Sequence, residues 1–124
     1  MKLLLDTHTV LWWRGEDPQL GRIARRAIAS ADVVLVSSAS AWEVAIKMAL
    51  GKLRVPGPFE SGVEESGFTK LPITFAHAAA VATLPPHHTD PFDRMLIAQA
   101  IVEGCTLVTA DLKFEPYNVP LLLV

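Results

Sequence analysis

The sequence predicts an α/β fold: a three-layer α/β/α sandwich around a mostly parallel five-stranded sheet. Three observations carry this expectation. Short apolar runs alternate with longer helical patterns along the chain, the pattern of βαβ units. The apolar runs are continuous rather than alternating, which marks strands covered on both faces. The 124 residues, 51% hydrophobic and 19% charged, suit a single domain over 1–124 with a real core and exclude a disordered chain.

Each element has a local reason. Lys2-Leu3-Leu4-Leu5 is apolar and short, hence a buried strand. Thr7 to Arg14 has room only for a short helix, which Gly15-Glu16-Asp17-Pro18 breaks. From Leu20 to Ala31, Ile23, Ala27 and Ile28 are expected on one face and Arg22, Arg25 and Arg26 on another, an amphipathic helix. Val33-Val34-Leu35-Val36 is β-branched and strand-length. Ser37-Ser38-Ala39-Ser40 then offers N-caps for a helix from Ala41 to Leu50, stopped by Gly51. A short acidic helix is expected around Phe59 to Glu65. Leu71 to Thr74 reads as a third strand, confined to an edge by Pro72. Ala76 to Leu84 is alanine-rich and helical, ended by Pro85-Pro86. Asp90-Pro91 opens the longest helix, Pro91 to Glu103, with Gly104 behind it. Thr106 to Thr109 and Val119 to Leu123 complete the strands.

Composition narrows the function. A single cysteine, Cys105, excludes an intrachain disulfide and multi-cysteine metal sites, and needs no role beyond packing. No apolar run approaches a membrane span, and the opening leucines meet Asp6 too soon for a signal peptide, so a cytoplasmic protein is expected. The net charge of −2 argues against bulk electrostatic binding of nucleic acid but not against a local basic patch.

Open parallel sheets bind ligands beyond the carboxyl ends of their strands. Asp6 directly follows the first strand, and Asp111 follows the fourth by two residues. Glu43 and Asp93 are expected in the first turns of the helices after Val36 and Asp90. Four carboxylates thus point at one sheet end, with no Lys or Arg beside Asp6, Glu43 or Asp111 in sequence. Clustered carboxylates repel unless a cation sits among them, and an all-oxygen set suits Mg²⁺ or Mn²⁺. That combination points to metal-dependent phosphoryl transfer or hydrolysis. Each acid also has a structural alternative. Ser40-x-x-Glu43 fits a capping box, Asp90 is a natural N-cap, Asp93 would favour the helix dipole, and Asp111 could begin a turn.

Four segments then carry a family resemblance: Leu3-Leu4-Leu5-Asp6-Thr7-His8, Ser40-Ala41-Trp42-Glu43-Val44, Asp90-Pro91-Phe92-Asp93-Arg94-Met95-Leu96-Ile97-Ala98 and Thr106-Leu107-Val108-Thr109-Ala110-Asp111. In this order and spacing the chain resembles PIN-domain proteins, and more closely VapC-type toxins of type II toxin–antitoxin modules. The resemblance runs from Lys2 to about Phe114. It implies a Mg²⁺- or Mn²⁺-dependent ribonuclease whose acidic quartet falls on Asp6, Glu43, Asp93 and Asp111, leaving 5′-phosphate and 3′-hydroxyl ends. Asp93, followed after two residues by Leu96-Ile97-Ala98, fits the third position, leaving Asp90 as the cap and a supporting group. The resemblance further implies an RNA substrate, a cognate antitoxin and a homodimer.

Several other residues invite roles. Thr7 and Thr109 flank two of the acids and could orient carboxylates or phosphate. Arg94 could hold a phosphate or pair with Asp90. His87 and His88 match no zinc spacing, so a solvated pair or a substrate contact is favoured over metal ligation. Arg22, Arg25, Arg26, Lys47, Lys52 and Arg54 could grip RNA backbone or simply face solvent. Of Trp12 and Trp13, one is expected in the core and the other on a dimer or partner surface. Two other readings compete: a Mg²⁺-binding receiver module of flavodoxin-like order, and a catalytically silent PIN interaction domain.

Overall fold

The computed structural model describes all residues, Met1–Val124. Five strands, β1 Lys2–Leu5, β2 Val33–Ser37, β3 Thr69–Leu71, β4 Thr106–Thr109 and β5 Leu121–Leu123, form one sheet in the order β3-β2-β1-β4-β5. Every pairing is parallel. Leu3 pairs with Val34 on one side and Thr106 on the other, so β1 is the central strand. Burial on both faces and both edges explains its unbroken leucine run, with Leu3, Leu4 and Leu5 all fully buried.

The two-residue period of the strands splits the core into two layers. Leu3, Leu5, Val34, Val36 and Val108 face one apolar layer, shared with α1 (Thr7–Arg14), α2 (Arg22–Ser30) and α4 (Phe59–Glu65) through Val10, Ala24, Ile28 and Val63. Leu4, Leu35 and Leu107 face the other, with Ala39 of α3 (Ser38–Ala49) and Leu96, Ile97 and Ala100 of α6 (Pro91–Glu103). A sixth helix, α5 (Phe75–Val81), packs on α6. Its fully buried His77 accepts from Thr74 N–H through Nδ1 and meets Glu103 through Nε2 at 2.9 Å.

Several boundaries differ from expectation, each for a local reason. Ser37, not Ser40, caps α3, accepting from Ala39 N–H at 2.9 Å, so the helix starts three residues earlier and Glu43 lies in its second turn. The capping-box reading of Ser40 and Glu43 falls with that shift. β3 ends at Leu71, ahead of Pro72, and lies at the sheet edge. The buried stripe of α2 runs through Leu20, Ala24 and Ile28, and Ile23, about one residue out of phase, is 78% exposed. Both Trp12 and Trp13 pack half-buried against one core layer, and the exposed tryptophan is Trp42.

The topology decides one competing reading. In flavodoxin-like order β3 lies beside β1; here β4 does. The order of strand addition reverses between β1 and β4, and the crevice at their carboxyl ends is where such sheets place ligands. No helix is long and apolar enough to cross a membrane.

Candidate metal centre

Asp6 continues β1 into the crevice. Its backbone N–H donates to Val108 O at 3.1 Å, which extends the ladder by one residue and fixes where the side chain emerges. Oδ1 then caps α1 by accepting from Thr9 N–H at 2.9 Å, and Oδ2 accepts from Thr109 Oγ1 at 2.5 Å. Thr109 is fully buried at the end of β4, so two neighbouring strands hold one carboxylate.

Glu43 arrives from α3. Its Oε1 accepts from Thr7 Oγ1 at 2.7 Å, and Thr7 lies beside Ser40 Oγ at 2.9 Å. Its Oε2 pairs with Lys47 Nζ, one helical turn on, at 2.7 Å. That contact holds the Lys47 ammonium above its ordinary pKa. Glu43 and Asp6 are both buried, at 6% exposure, so each is desolvated and placed by donors rather than free on the surface.

Asp93 is in the first turn of α6, behind the cap in which Asp90 Oδ1 accepts from Phe92 and Asp93 N–H at 2.8 and 3.0 Å. Asp111 follows β4 and starts a short 3₁₀ turn, Leu112–Phe114, accepting from Lys113 N–H at 2.9 Å. Thr109 serves it too, since Asp111 N–H donates to Thr109 Oγ1 at 3.0 Å. Burial, with the charges of Asp90, Glu43, Asp6 and Asp111, pushes the Asp93 carboxyl from 3.8 up to about 7. The acids predicted from sequence therefore share one electrostatic site that lacks enough positive charge, which is the condition a bound divalent cation relieves. An all-carboxylate set with further lone pairs free on each oxygen fits a hard cation.

His88 was missed as a site residue. Rather than being solvated, it is 6% exposed, and its Nε2 lies 3.1 Å from both Asp93 Oδ2 and Asp111 Oδ2. The metal-ligating atoms of His88, Asp93 and Asp111 all fall within 4.8 Å of one another. No spacing rule could have found it, because the contact joins the loop before α6 to the turn after β4. His87 instead packs edge-on to Tyr117 at 5.3 Å.

Arg94 points away from the acids. Its guanidinium donates to the carbonyls of Val81, Leu84, Pro85 and His88 and to Tyr117 Oη, clamping the loop between α5 and α6. Neither an Asp90 pair nor a phosphate contact is available to it in that position. Arg25 is likewise committed, donating to Leu20, Trp12 and Asp17 carbonyls. Trp42 and Phe92, each one residue before an acid, meet edge-to-face at 5.0 Å. A cavity of about 510 Å³ opens elsewhere, between Phe59, Lys70 and Pro72.

The profile of the PIN domain matches residues 3–119. The chain belongs to the PIN-domain family. It is 31% identical over 121 residues to Ribonuclease VapC22 of Mycobacterium tuberculosis, covering 95% of this chain and 93% of that protein. Among solved structures, VapBC2 from Rickettsia felis bound to a promoter DNA fragment superposes with a TM-score of 0.74 at 17% identity, over 99% of this chain and 98% of that one. DNA-bound VapBC from Salmonella typhimurium gives 0.73 at 21% identity, over 98% and 97%. At those identities the structures speak for the PIN fold of this chain.

Proposed function

We propose that this PIN domain is a metal-dependent endoribonuclease, the toxin of a toxin–antitoxin pair, which hydrolyses RNA phosphodiester bonds. One observation carries the reading: Asp6, Glu43, Asp93 and Asp111 come from four separate elements to one crevice, where burial, with the charges of Asp90, Glu43, Asp6 and Asp111, raises Asp93 to about 7. The name of VapC22, a ribonuclease, supports the activity. The VapBC complexes support an antitoxin partner.

In this reading Mg²⁺, with Mn²⁺ as a substitute, is held by Asp6, Glu43, Asp93 and Asp111. Bound there it supplies a water of lowered pKa and neutralises charge on the phosphodiester. The chain does the positioning. Thr109 fixes Asp6 and anchors the Asp111 backbone, while Thr7 fixes Glu43. Lys47 is the cation nearest the acids and is placed to meet a phosphate at the rim. Asp90 shapes the first turn of α6 and adds negative charge behind Asp93. The protein acts as one domain over 1–124, in the cytoplasm, as a homodimer.

The test is cleavage of total cellular RNA by purified protein with Mg²⁺ or Mn²⁺, beside Asp6→Asn and an EDTA control. The reading expects discrete fragments that need both the metal and Asp6. If folded, antitoxin-free protein binds metal yet cuts neither total RNA nor any structured RNA, the silent interaction domain replaces it.

A further inference from the structure

His88 is the one buried ring among the acids, and its hydrogen bonds determine which nitrogen carries the proton. Its Nδ1 lies 3.2 Å from the backbone N–H of Asp90, a group that can only donate. Nδ1 must therefore present its lone pair, and in the neutral ring the proton resides on Nε2. That N–H donates to Asp111 Oδ2 at 3.1 Å, and Asp93 Oδ2 lies at the same distance from Nε2 as a charge contact. The ring cannot readily turn to exchange its nitrogens. His88 N–H donates to Tyr117 Oη at 2.8 Å, the ring packs on Phe114 at 5.5 Å, and Arg94 fixes the loop by its carbonyls.

We propose that His88 is a positioning residue: its Nε2–H donates to Asp111 and lies against Asp93, keeping the two carboxylates at ligating distance of each other, without itself ligating the metal. This deepens the nuclease reading above and rests on it. The need for a brace follows from the two elements it joins. Asp93 stands on a rigid helix, whereas Asp111 precedes a three-residue turn and its carboxylate otherwise accepts only from Lys113 N–H. Two like charges on unconnected elements separate unless a positive dipole lies between them. A ligating His88 would need the opposite tautomer, with a lone pair on Nε2 and the proton on Nδ1 facing Asp90 N–H, donor against donor.

The experiment pairs two measurements on the full chain, neither requiring RNA. Long-range ¹H–¹⁵N correlation of the imidazole rings, with His88→Gln to assign the signal, reads the tautomer before and after saturation with Mg²⁺. Calorimetric titration with Mg²⁺ compares wild type, His88→Ala and His88→Gln, with circular dichroism confirming each fold. The proposal expects the Nε2–H tautomer in both states. It expects His88→Ala to bind Mg²⁺ roughly 10–100-fold more weakly, the usual cost of losing a partner that orients a ligand. His88→Gln, which keeps an N–H near the Nε2 position, should recover most of that loss. A switch to the Nδ1–H tautomer on adding Mg²⁺ would make His88 a ligand and overturn the proposal. Equal Mg²⁺ affinity in folded His88→Ala would overturn it too, while leaving the nuclease reading intact. Should wild type itself bind no Mg²⁺ or Mn²⁺, the nuclease reading fails and this inference with it.

Discussion

Asp93→Asn should make the metal-free protein more stable while abolishing cleavage. In the unfolded chain the carboxyl ionises near 3.8; in the fold it keeps its proton to about 7, because it is desolvated and faces Asp90, Glu43, Asp6 and Asp111. Between those values the folded state binds more protons, so stability falls as pH rises, and the full penalty is present above pH 7. At about 1.4 kcal/mol per tenfold change, the ceiling on that penalty is about 4 kcal/mol. Two effects reduce what the substitution recovers. The side chain keeps 22% of its exposure, which screens the repulsion. A neutral residue in the first turn of α6 also loses about 0.3–1 kcal/mol of attraction to the helix terminus. The hydrogen bond from His88 to Asp111 is untouched by the change. The expected gain is therefore about 1–3 kcal/mol at pH 8, vanishing near pH 4. Urea denaturation in EDTA at both pH values measures it. Saturating Mg²⁺ should offset most or all of that gain, stabilising wild type by about 2.7 kcal/mol at a hundred times its Kd and the variant far less. Equal or lower stability of Asp93→Asn at pH 8 in EDTA would refute the electrostatic reasoning.

Other outcomes follow from the same geometry. Thr109→Val removes the hydroxyl that serves both Asp6 and Asp111, and should lower cleavage roughly 10–100-fold with the fold retained, as read by initial rates and circular dichroism. His77→Ala empties a fully buried site linking Thr74 and Glu103, and should cost about 2–4 kcal/mol in urea denaturation at pH 7. Gly104→Ala places a side chain at a φ of 67° behind α6, and should cost about 1 kcal/mol in the same assay without changing the cleavage pattern. Lys47→Met removes the nearest cation, and should reduce the salt dependence of RNA binding by about one phosphate contact, measured by anisotropy across ionic strengths.

Sequence and structure agree where a local rule controls the outcome. Three consecutive leucines make sense only in a strand buried on both faces, and β1 is that strand. Asp90-Pro91 and Gly104 bracket α6 because a cap, a proline at the first position and a left-handed residue behind the last turn are each local signals. The order of strands is not local, and it came instead from the geometry that places β4 beside β1. The acids were legible because each directly follows a strand or opens onto the crevice from a helix. Their supports were only partly so. Thr7 and Thr109 are neighbours of acids in sequence, whereas His88 reaches its two carboxylates across 5 and 23 residues. Arg94 shows the reverse error. Adjacency to Asp93 suggested a phosphate contact, but on a helix neighbouring residues point about 100° apart, and this one turns to the α5–α6 loop. Trp12 and Trp13 both pack half-buried on a core layer while Trp42 is exposed, because nothing local distinguishes a tryptophan that packs from one that faces out.

The chemistry of the cut ends tests the central claim most directly. RNA cleaved by the wild-type protein in Mg²⁺ should carry 5′-phosphate and 3′-hydroxyl groups, read by ligation-dependent end mapping, and neither EDTA-treated protein nor Asp6→Asn should yield such ends. Fragments bearing 5′-hydroxyl and cyclic phosphate, or cutting that persists in EDTA, would place the chemistry on the RNA's own 2′-hydroxyl and contradict a carboxylate-held metal.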